Sequence, residues 1–416
     1  MRVLWITNLL FPEASAKMFG NKELKNSGGW MIGAARALLD NYEVEFAVAT
    51  VSDKVADLTI IQGERITYFI LPLGHGNLEY NKDYEPYWKE VNRSFLPDII
   101  NIHGSEFSHG LAWVRANGAD NVVVTIQGLP SVIKDYYYAG LTRTQIWDMC
   151  MYGLLPIFRR TGIDKYTVQS KNEIELLRSV SHIIGRTAWD RAHTKAINPN
   201  AYYHFCNETL RSAFYSGKWV YEDCRKHTIF VSQVGKSIKG FHQVIKALPF
   251  VLRYYPDTRV IVAGNRICSG GSFFSRVKNR YNHVARKMIK KFNLIGVFDF
   301  IGPLDENDMK KNMLNSNVYV LSSAIENSPN TLGEAQLLGV PCIASFVGGV
   351  PDMIPNSNCG IMYRFSDYKM LASFICQVFE ESSKFDNSEM RLVAQRRHDA
   401  INNATRTIEI YKEILK

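Results

Sequence analysis

The chain has 416 residues, 46% hydrophobic and 21% charged, and a formal net charge of +9. That length suits two α/β domains rather than one core, and the composition excludes a disordered or fibrous chain. Seven scattered cysteines without a C-x-x-C pair argue against a zinc site or disulfide framework and for reduced thiols.

The charge is unevenly placed. Residues 1–200 hold 21 Lys and Arg against 21 Asp and Glu, whereas residues 201–416 hold 28 against 19. The N-terminus, from Met1 to Ile6, runs into a strand-like segment without a signal-peptide pattern. No stretch approaches the roughly 18 apolar residues that span a bilayer. A cytoplasmic protein is therefore expected, with peripheral contact to an acidic membrane left open.

Short β-branched runs alternate with helical patterns, as parallel βαβ units do. Residues 3–7, 44–51, 66–71, 99–102, 122–126 and 182–184 read as strands of a first sheet. Several are apolar at every position, as expected of strands covered on both faces. After the first strand, Ser27-Gly28-Gly29 opens a helix with Met31, Ala35 and Leu38 on one side. Ser27 is a good N-cap, and Gly28 and Gly29 allow a substrate or a facing domain to approach the backbone. The pattern is G-G-x-x-x-G, not the dinucleotide G-x-G-x-x-G, which argues against a nicotinamide enzyme.

The strand at 99–102 ends in His103-Gly104-Ser105-Glu106, and the next ends in Gln127-Gly128, so polar groups emerge at the carboxyl edge where open sheets bind ligands. Tyr136-Tyr137-Tyr138, followed by an apolar run from Trp147 to Arg159-Arg160, fits either an interfacial segment reaching a lipid-linked acceptor or an internal core helix. Arg186, after the strand at 182–184, is placed for an acidic acceptor or a donor phosphate, or for a surface ion pair. Glu106, Gln127 and Arg186 are the candidate acceptor-side residues.

An irregular stretch at 216–226 precedes a second series of strands at 229–232, 260–263, 297–301, 318–321, 342–345 and 361–363, with helices at 241–255 and 306–315. Domains at 1–215 and 216–400 follow, plus a terminal helix at 401–416 that caps its own domain or crosses back onto the first. Ala404, Ile408, Tyr411 and Leu415 form its apolar stripe. Arg266, Arg276, Lys278, Arg280, Arg286, Lys287, Lys290 and Lys291 fall in one stretch free of acids. Such a stretch attracts phosphates, acidic membranes or nucleic acid, or is a solvated helix face.

The most informative segment is Glu326-Asn327-Ser328-Pro329-Asn330-Thr331-Leu332-Gly333-Glu334, between the strand at 318–321 and a short helix that stops at Gly339. Free N–H groups and the positive dipole end at that helix start can hold a diphosphate without a metal. Glu326 and Glu334 flank this cradle, suited to accepting hydrogen bonds from sugar and ribose hydroxyls. A capping and a surface glutamate explain the spacing equally well.

Here the chain resembles the retaining GT-B glycosyltransferases of family 4. Glu326 and Glu334 match their E-x7-E signature, Gly339-Val340-Pro341 a G-x-P step, and Gly348-Gly349-Val350-Pro351 a G-G-x-P/E turn. The resemblance covers residues 229–354 well and the first domain more loosely. It implies two Rossmann-like doubly wound domains facing across a cleft. It also implies a retaining, metal-independent transferase that uses a UDP- or GDP-sugar and needs no cofactor.

By the same resemblance, Glu326 contacts the transferred sugar and Glu334 the ribose, while amides around Asn327, Ser328, Asn330, Thr331 and Leu332 hold the donor. Lys239-Gly240 fits the family's Lys-Gly on the diphosphate. The family's Arg position is Gln233, a departure that Lys236 is placed to offset. Gly264-Asn265 resembles the turn beside the nucleobase, and His103 aligns near the reacting sugar. The expected acceptor is a glycan or lipid-linked glycan in surface polysaccharide assembly, and nucleic acid is not an expected partner. The rival readings are an epimerase or hydrolase of the same fold and, behind it, a polyanion-binding protein.

Overall fold

The computed structural model describes residues 1–20, 29–72, 78–150, 162–264 and 280–416. Ser27, Gly28, Asn265, Arg266, Arg276, Lys278 and the pair Arg159-Arg160 lie outside the described residues. The chain divides into two compact units. One comprises Met1–Lys134, Asp164–Leu210 and His398–Lys416, the other Asp135–Ile163 and Arg211–Arg397.

The first unit is built on β1 (Arg2–Ile6), β2 (Glu45–Ser52), β3 (Thr59–Gln62), β4 (Thr67–Pro72), β5 (Ile99–His103), β6 (Val122–Thr125), β7 (His182–Gly185) and β8 (Tyr202–Phe205). They form one sheet in the order β3-β4-β2-β1-β5-β6-β7-β8. Its pairings are parallel except for β3 against β4. β5 is buried at every residue, its three isoleucines interleaved with the buried polar side chains of Asn101 and His103. β3 and β8 were not expected. β3 alternates between half-buried and exposed positions, and β8 is a sheet edge of Tyr, His and Phe, so neither carries the continuous apolar signature of the central strands.

The second unit is built on β9 (Arg225–Ser232), β10 (Arg259–Ala263), β11 (Phe298–Gly302), β12 (Ser316–Leu321), β13 (Cys342–Ser345) and β14 (Ile361–Tyr363). All are parallel, in the order β11-β10-β9-β12-β13-β14. This is the doubly wound 3-2-1-4-5-6 order, in which the chain reverses direction across the sheet between β9 and β12. The corresponding reversal in the first unit lies between β1 and β5. The expected α/β fold class is the observed one.

Two segments sit differently from the simple division at residue 215. Residues 135–163 group with the second unit, where Met149 enters the core and Tyr137, Tyr138 and Leu141 pack against it. Trp147 is 63% exposed, so its part of the aromatic run faces outward. The terminal helix Ala400–Ile414 groups with the first unit: Tyr411 is fully buried there, and its hydroxyl accepts from Trp5 Nε1 at 2.9 Å and Asn101 Nδ2 at 2.7 Å. Leu415 is exposed, and the apolar stripe instead takes in Ile410 and the half-buried Ile414.

The helix Phe241–Val251 is shorter than the expected 241–255: residues 252–254 form a turn in which Tyr254 is exposed, while Leu252 and Tyr255 still pack against the core. The described part of the basic stretch is the helix Arg280–Lys291. It buries Tyr281, Val284, Ala285, Met288 and Ile289 and exposes Lys287, Lys290 and Lys291, with Lys287 paired to Asp148 at 2.8 Å. That is the geometry of a solvated helix face. No helix among the described residues is long and apolar enough to cross a membrane.

Candidate functional site

In the second unit the candidate residues gather where β9 and β12 end side by side. β9 leads into the turn Ser237–Lys239, closed by Gly240 in the left-handed region at φ 66°. β12 leads through Ser322 to Glu326 into the helix Asn330–Leu338. The two turns are laced together: Ala324 N donates to Ile238 O at 2.7 Å, and Ser322 Oγ donates to Lys239 O at 3.1 Å.

This lacing brings Lys239 and Glu326, 87 residues apart in sequence, into a half-buried ion pair, Nζ to Oε1 at 2.6 Å. Ser323 Oγ donates to the same carboxylate oxygen at 2.6 Å. The Glu326 carbonyl accepts from Gly349 N at 3.1 Å, and Gly348 passes so close beneath it, at φ 51°, that a side chain there would overlap the Glu326 carbonyl oxygen. The Gly348-Gly349 turn therefore supports the backbone of Glu326.

The helix Asn330–Leu338 begins after Pro329 with no side chain capping it and ends at Gly339. Its amide end points out from the sheet edge beside the Lys239–Glu326 pair, the arrangement that favours anions. Thr331 Oγ1 is 2.7 Å from the hydroxyl of Tyr319. The Leu332 amide donates to Pro329 O at 3.0 Å and its side chain is core, so Leu332 is not among the free amides expected at the helix start. Asn327 is buried, and Ser328 Oγ donates to Met353 Sδ at 3.6 Å.

Glu334 has a partner that the spacing did not suggest. It is 1% exposed, and both its oxygens accept from Arg211, Nε at 2.6 Å and Nη2 at 2.7 Å. Burial pushes its carboxyl above the ordinary range, and the hydrogen bonds and charge of Arg211 pull it back down. Arg211 was not singled out in the sequence, because no local pattern links it to a residue 123 positions away. Gln233 is exposed at φ 55°, next to Gly264, whose amide donates to Gly302 O at 2.8 Å. Lys236 is exposed ahead of the Ser237–Lys239 turn.

Gly29 belongs to the first unit, where it opens the helix Gly29–Asn41. There β5 delivers His103, buried against the Trp5 ring at a centroid distance of 4.2 Å. Neither His103 ring nitrogen has a partner, and burial, with the charge of Arg186, pushes its pKa down to about 3. The imidazole is therefore neutral at physiological pH.

His103 lines a cavity of about 50 Å³ with Trp30, Asn101, Thr125, Arg186 and Glu208, among others. Arg186 is not a surface group. It is buried, paired with Glu208, and donates to the Ile126 carbonyl, so its guanidinium is committed inside the unit. Glu106 carries a buried carboxyl oxygen, and Gln127 a buried side-chain nitrogen, without a hydrogen-bond partner.

Glu173, missed in the sequence because it sits mid-helix, is fully buried beneath this edge. It accepts from Ser131 N at 3.1 Å, from Ser131 Oγ and from Ser105 Oγ at 3.2 Å. Burial pushes both Glu106 and Glu173 up to about 7. These raised carboxyls favour folding below their unfolded value of 4.5, and that contribution is lost as pH rises through about 7. The histidines lowered by burial, His103, His109, His182, His193, His204 and His242, act in the opposite sense, since their contribution is lost as pH falls. They are common to the unmodified protein and to Glu173→Gln, so as pH rises from 4.5 to about 7 the thermal midpoint of Glu173→Gln is expected to gain on that of the unmodified protein. A difference between the two midpoints that stays constant across this window would refute the assignment.

Among the described residues no three His, Cys, Asp or Glu side chains are grouped as a metal site.

Residues 215–406 match the model of the family described as glycosyl transferases group 1. The chain is 27% identical over 181 residues to spore coat protein SA of Bacillus subtilis, covering 43% of this chain and 45% of that protein. It thus spans about half the length of the curated relatives it matches. Across 99% of its length it superposes on sucrose-phosphate synthase from Thermosynechococcus elongatus, with a TM-score of 0.72, 14% identity and 98% of that chain covered. It also superposes on HepE from Anabaena, solved with UDP and glucose, with a TM-score of 0.66, 13% identity and 99% of each chain covered. The fold is the GT-B fold of these neighbours. The match to the glycosyl transferases group 1 family takes in the whole second sheet, the Lys239-Gly240 turn, Glu326, Glu334 and the Gly348-Gly349 turn.

Proposed function

We propose that the protein is a retaining, metal-independent glycosyltransferase that moves a sugar from a UDP- or GDP-sugar to a glycan or lipid-linked glycan, in surface polysaccharide assembly. The observation that carries this reading is the meeting of Lys239 and Glu326 at the reversal point between β9 and β12, beside an uncapped helix start. Lysine ammonium and helix amides are groups that hold a pyrophosphate, and a carboxylate beside them suits the hydroxyls of the attached sugar. The match to glycosyl transferases group 1 and the UDP and glucose bound by HepE support the donor class.

In the proposed reaction Lys239 exchanges part of its bond with Glu326 for the donor's β-phosphate. The Glu326 oxygens then accept from the sugar hydroxyls. The bond from the anomeric carbon to the phosphate oxygen breaks, the acceptor hydroxyl oxygen bonds to that carbon from the same face, and its proton passes to the departing phosphate. Charge develops on that phosphate, which is where Lys239 and the amides of the helix Asn330–Leu338 are aimed. Glu326 positions the sugar rather than attacking it, since Lys239 and Ser323 hold its carboxylate. In this reading Asn327, Ser328, Asn330, Thr331, Gln233, Lys236, Gly264 and Gly29 are donor-side residues, His103 is a catalytic residue with Lys239 and Glu326, and Glu106 and Gln127 are acceptor-side residues.

Thermal shift against UDP-, GDP- and ADP-sugars, with and without EDTA, tests this reading. One nucleotide class is expected to stabilise the protein, by about 2.7 kcal/mol at a hundredfold its Kd, and EDTA to change neither the shift nor turnover. Stabilisation by none of them, or strict dependence on a divalent cation, would overturn it.

A further inference from the structure

Arg211 opens the second segment of the second unit, ahead of the short turn Ser212–Tyr215. Its guanidinium rests 4.8 Å from the Phe214 ring centroid and grips Glu334 with two nearly equal hydrogen bonds. Arg211 keeps 19% of its side chain exposed while Glu334 keeps 2%. Glu334 lies in the second turn of the helix whose start is read above as the pyrophosphate cradle, and the ribose is the next group along a nucleotide from that pyrophosphate.

A carboxylate this deeply buried accepts hydrogen bonds from a ribose only if it stays ionised and keeps one rotamer. Alone it would be protonated or would turn, and Glu306 adds further negative charge nearby. A bidentate arginine supplies both conditions: it favours the charged form and fixes the carboxylate plane, while using only two of about four lone-pair sites.

We infer that Arg211 is a positioning residue that aims the Glu334 carboxylate at the ribose hydroxyls of the donor and so makes the site discriminate ribonucleotides from their deoxy forms. This rests on the donor reading proposed above. It adds a cation, remote in sequence, that acts through Glu334 rather than on the phosphates, and so does not replace the arginine absent at Gln233. A purely structural clip between the segment at 211–215 and the helix would have no such discrimination to lose.

The test is calorimetric titration of the full chain with UDP, GDP and their 2′,3′-dideoxy forms. The unmodified protein is expected to prefer the ribonucleotide by at least about tenfold, the scale of a hydrogen bond to a charged acceptor. Arg211→Met is expected to cut that preference to within about threefold, equally for Glu334→Gln, with no further loss in the double variant, as two residues acting as one unit require. Arg211→Lys, a milder change should the methionine variant not fold, is expected to fall between. Full discrimination retained by Arg211→Met or Arg211→Lys overturns the inference and leaves the donor reading standing. Equal binding of ribo and dideoxy forms by the unmodified protein overturns it too. Failure to bind any of the four nucleotides overturns the donor reading itself.

Discussion

Lys239→Ala is expected to lower kcat by on the order of a hundredfold to a thousandfold, the loss seen when one preorganised group is taken from developing transition-state charge. KM for the donor should change far less, because the helix amides and the groups around Glu334 still hold the ground state. The variant should fold. Lys239 is at the end of a turn, its pair with Glu326 is half-buried rather than fully desolvated, and Ser323 still donates to the carboxylate. Glu326→Ala is expected to lose transfer to a similar extent by a different route, the loss of sugar positioning. Steady-state kinetics beside far-UV circular dichroism checks both. A kcat within threefold of the unmodified enzyme would remove Lys239 from the mechanism.

The second large effect is on the scaffold. Gly240→Ala should destabilise the second unit by roughly 2–5 kcal/mol, combining the cost of a left-handed alanine with that of overpacking. At φ 66° an added methyl would overlap the Ser322 carbonyl oxygen, with the carbonyl carbon only 2.7 Å away. To fit, the turns after β9 and β12 must part, breaking the bonds from Ala324 N to Ile238 O and from Ser322 Oγ to Lys239 O. Lys239 then leaves Glu326. Denaturant unfolding should show the loss, and activity at temperatures where the variant remains folded should still be reduced. A stable, fully active Gly240→Ala protein would mean that this close approach is not what sets the site.

These two residues also show how the site was encoded. Lys239-Gly240 stood out only through the resemblance to the family's Lys-Gly, and the positive φ at Gly240 explains why glycine stands there. Glu326 and Glu334 stood out by their spacing across a helix start. Their partners were not legible: Lys239 meets Glu326 across 87 positions and Arg211 meets Glu334 across 123. Long-range pairing leaves no periodic trace, since any charged residue in a turn reads as solvated until the chain is folded. Arg186 was misread for that reason, its strand-end position concealing a buried pair with Glu208.

The central parallel strands could be read directly, because a strand covered on both faces is mostly apolar, even where β5 and β12 each bury polar residues. Edge strands escape that rule, and β3 and β8 did so. From residue order came the α/β class, two series of strands, the helix start near Asn330 and the glycines that let loops approach. Folding in three dimensions settled the rest: that Tyr137, Tyr138, Leu141 and Met149 pack with the second sheet, that Tyr411 anchors the last helix beside Trp5 and Asn101, and that each glutamate of the E-x7-E pair is met by its own cation. Local patterns report whether a residue is buried. They carry no record of which distant side chain it is buried against.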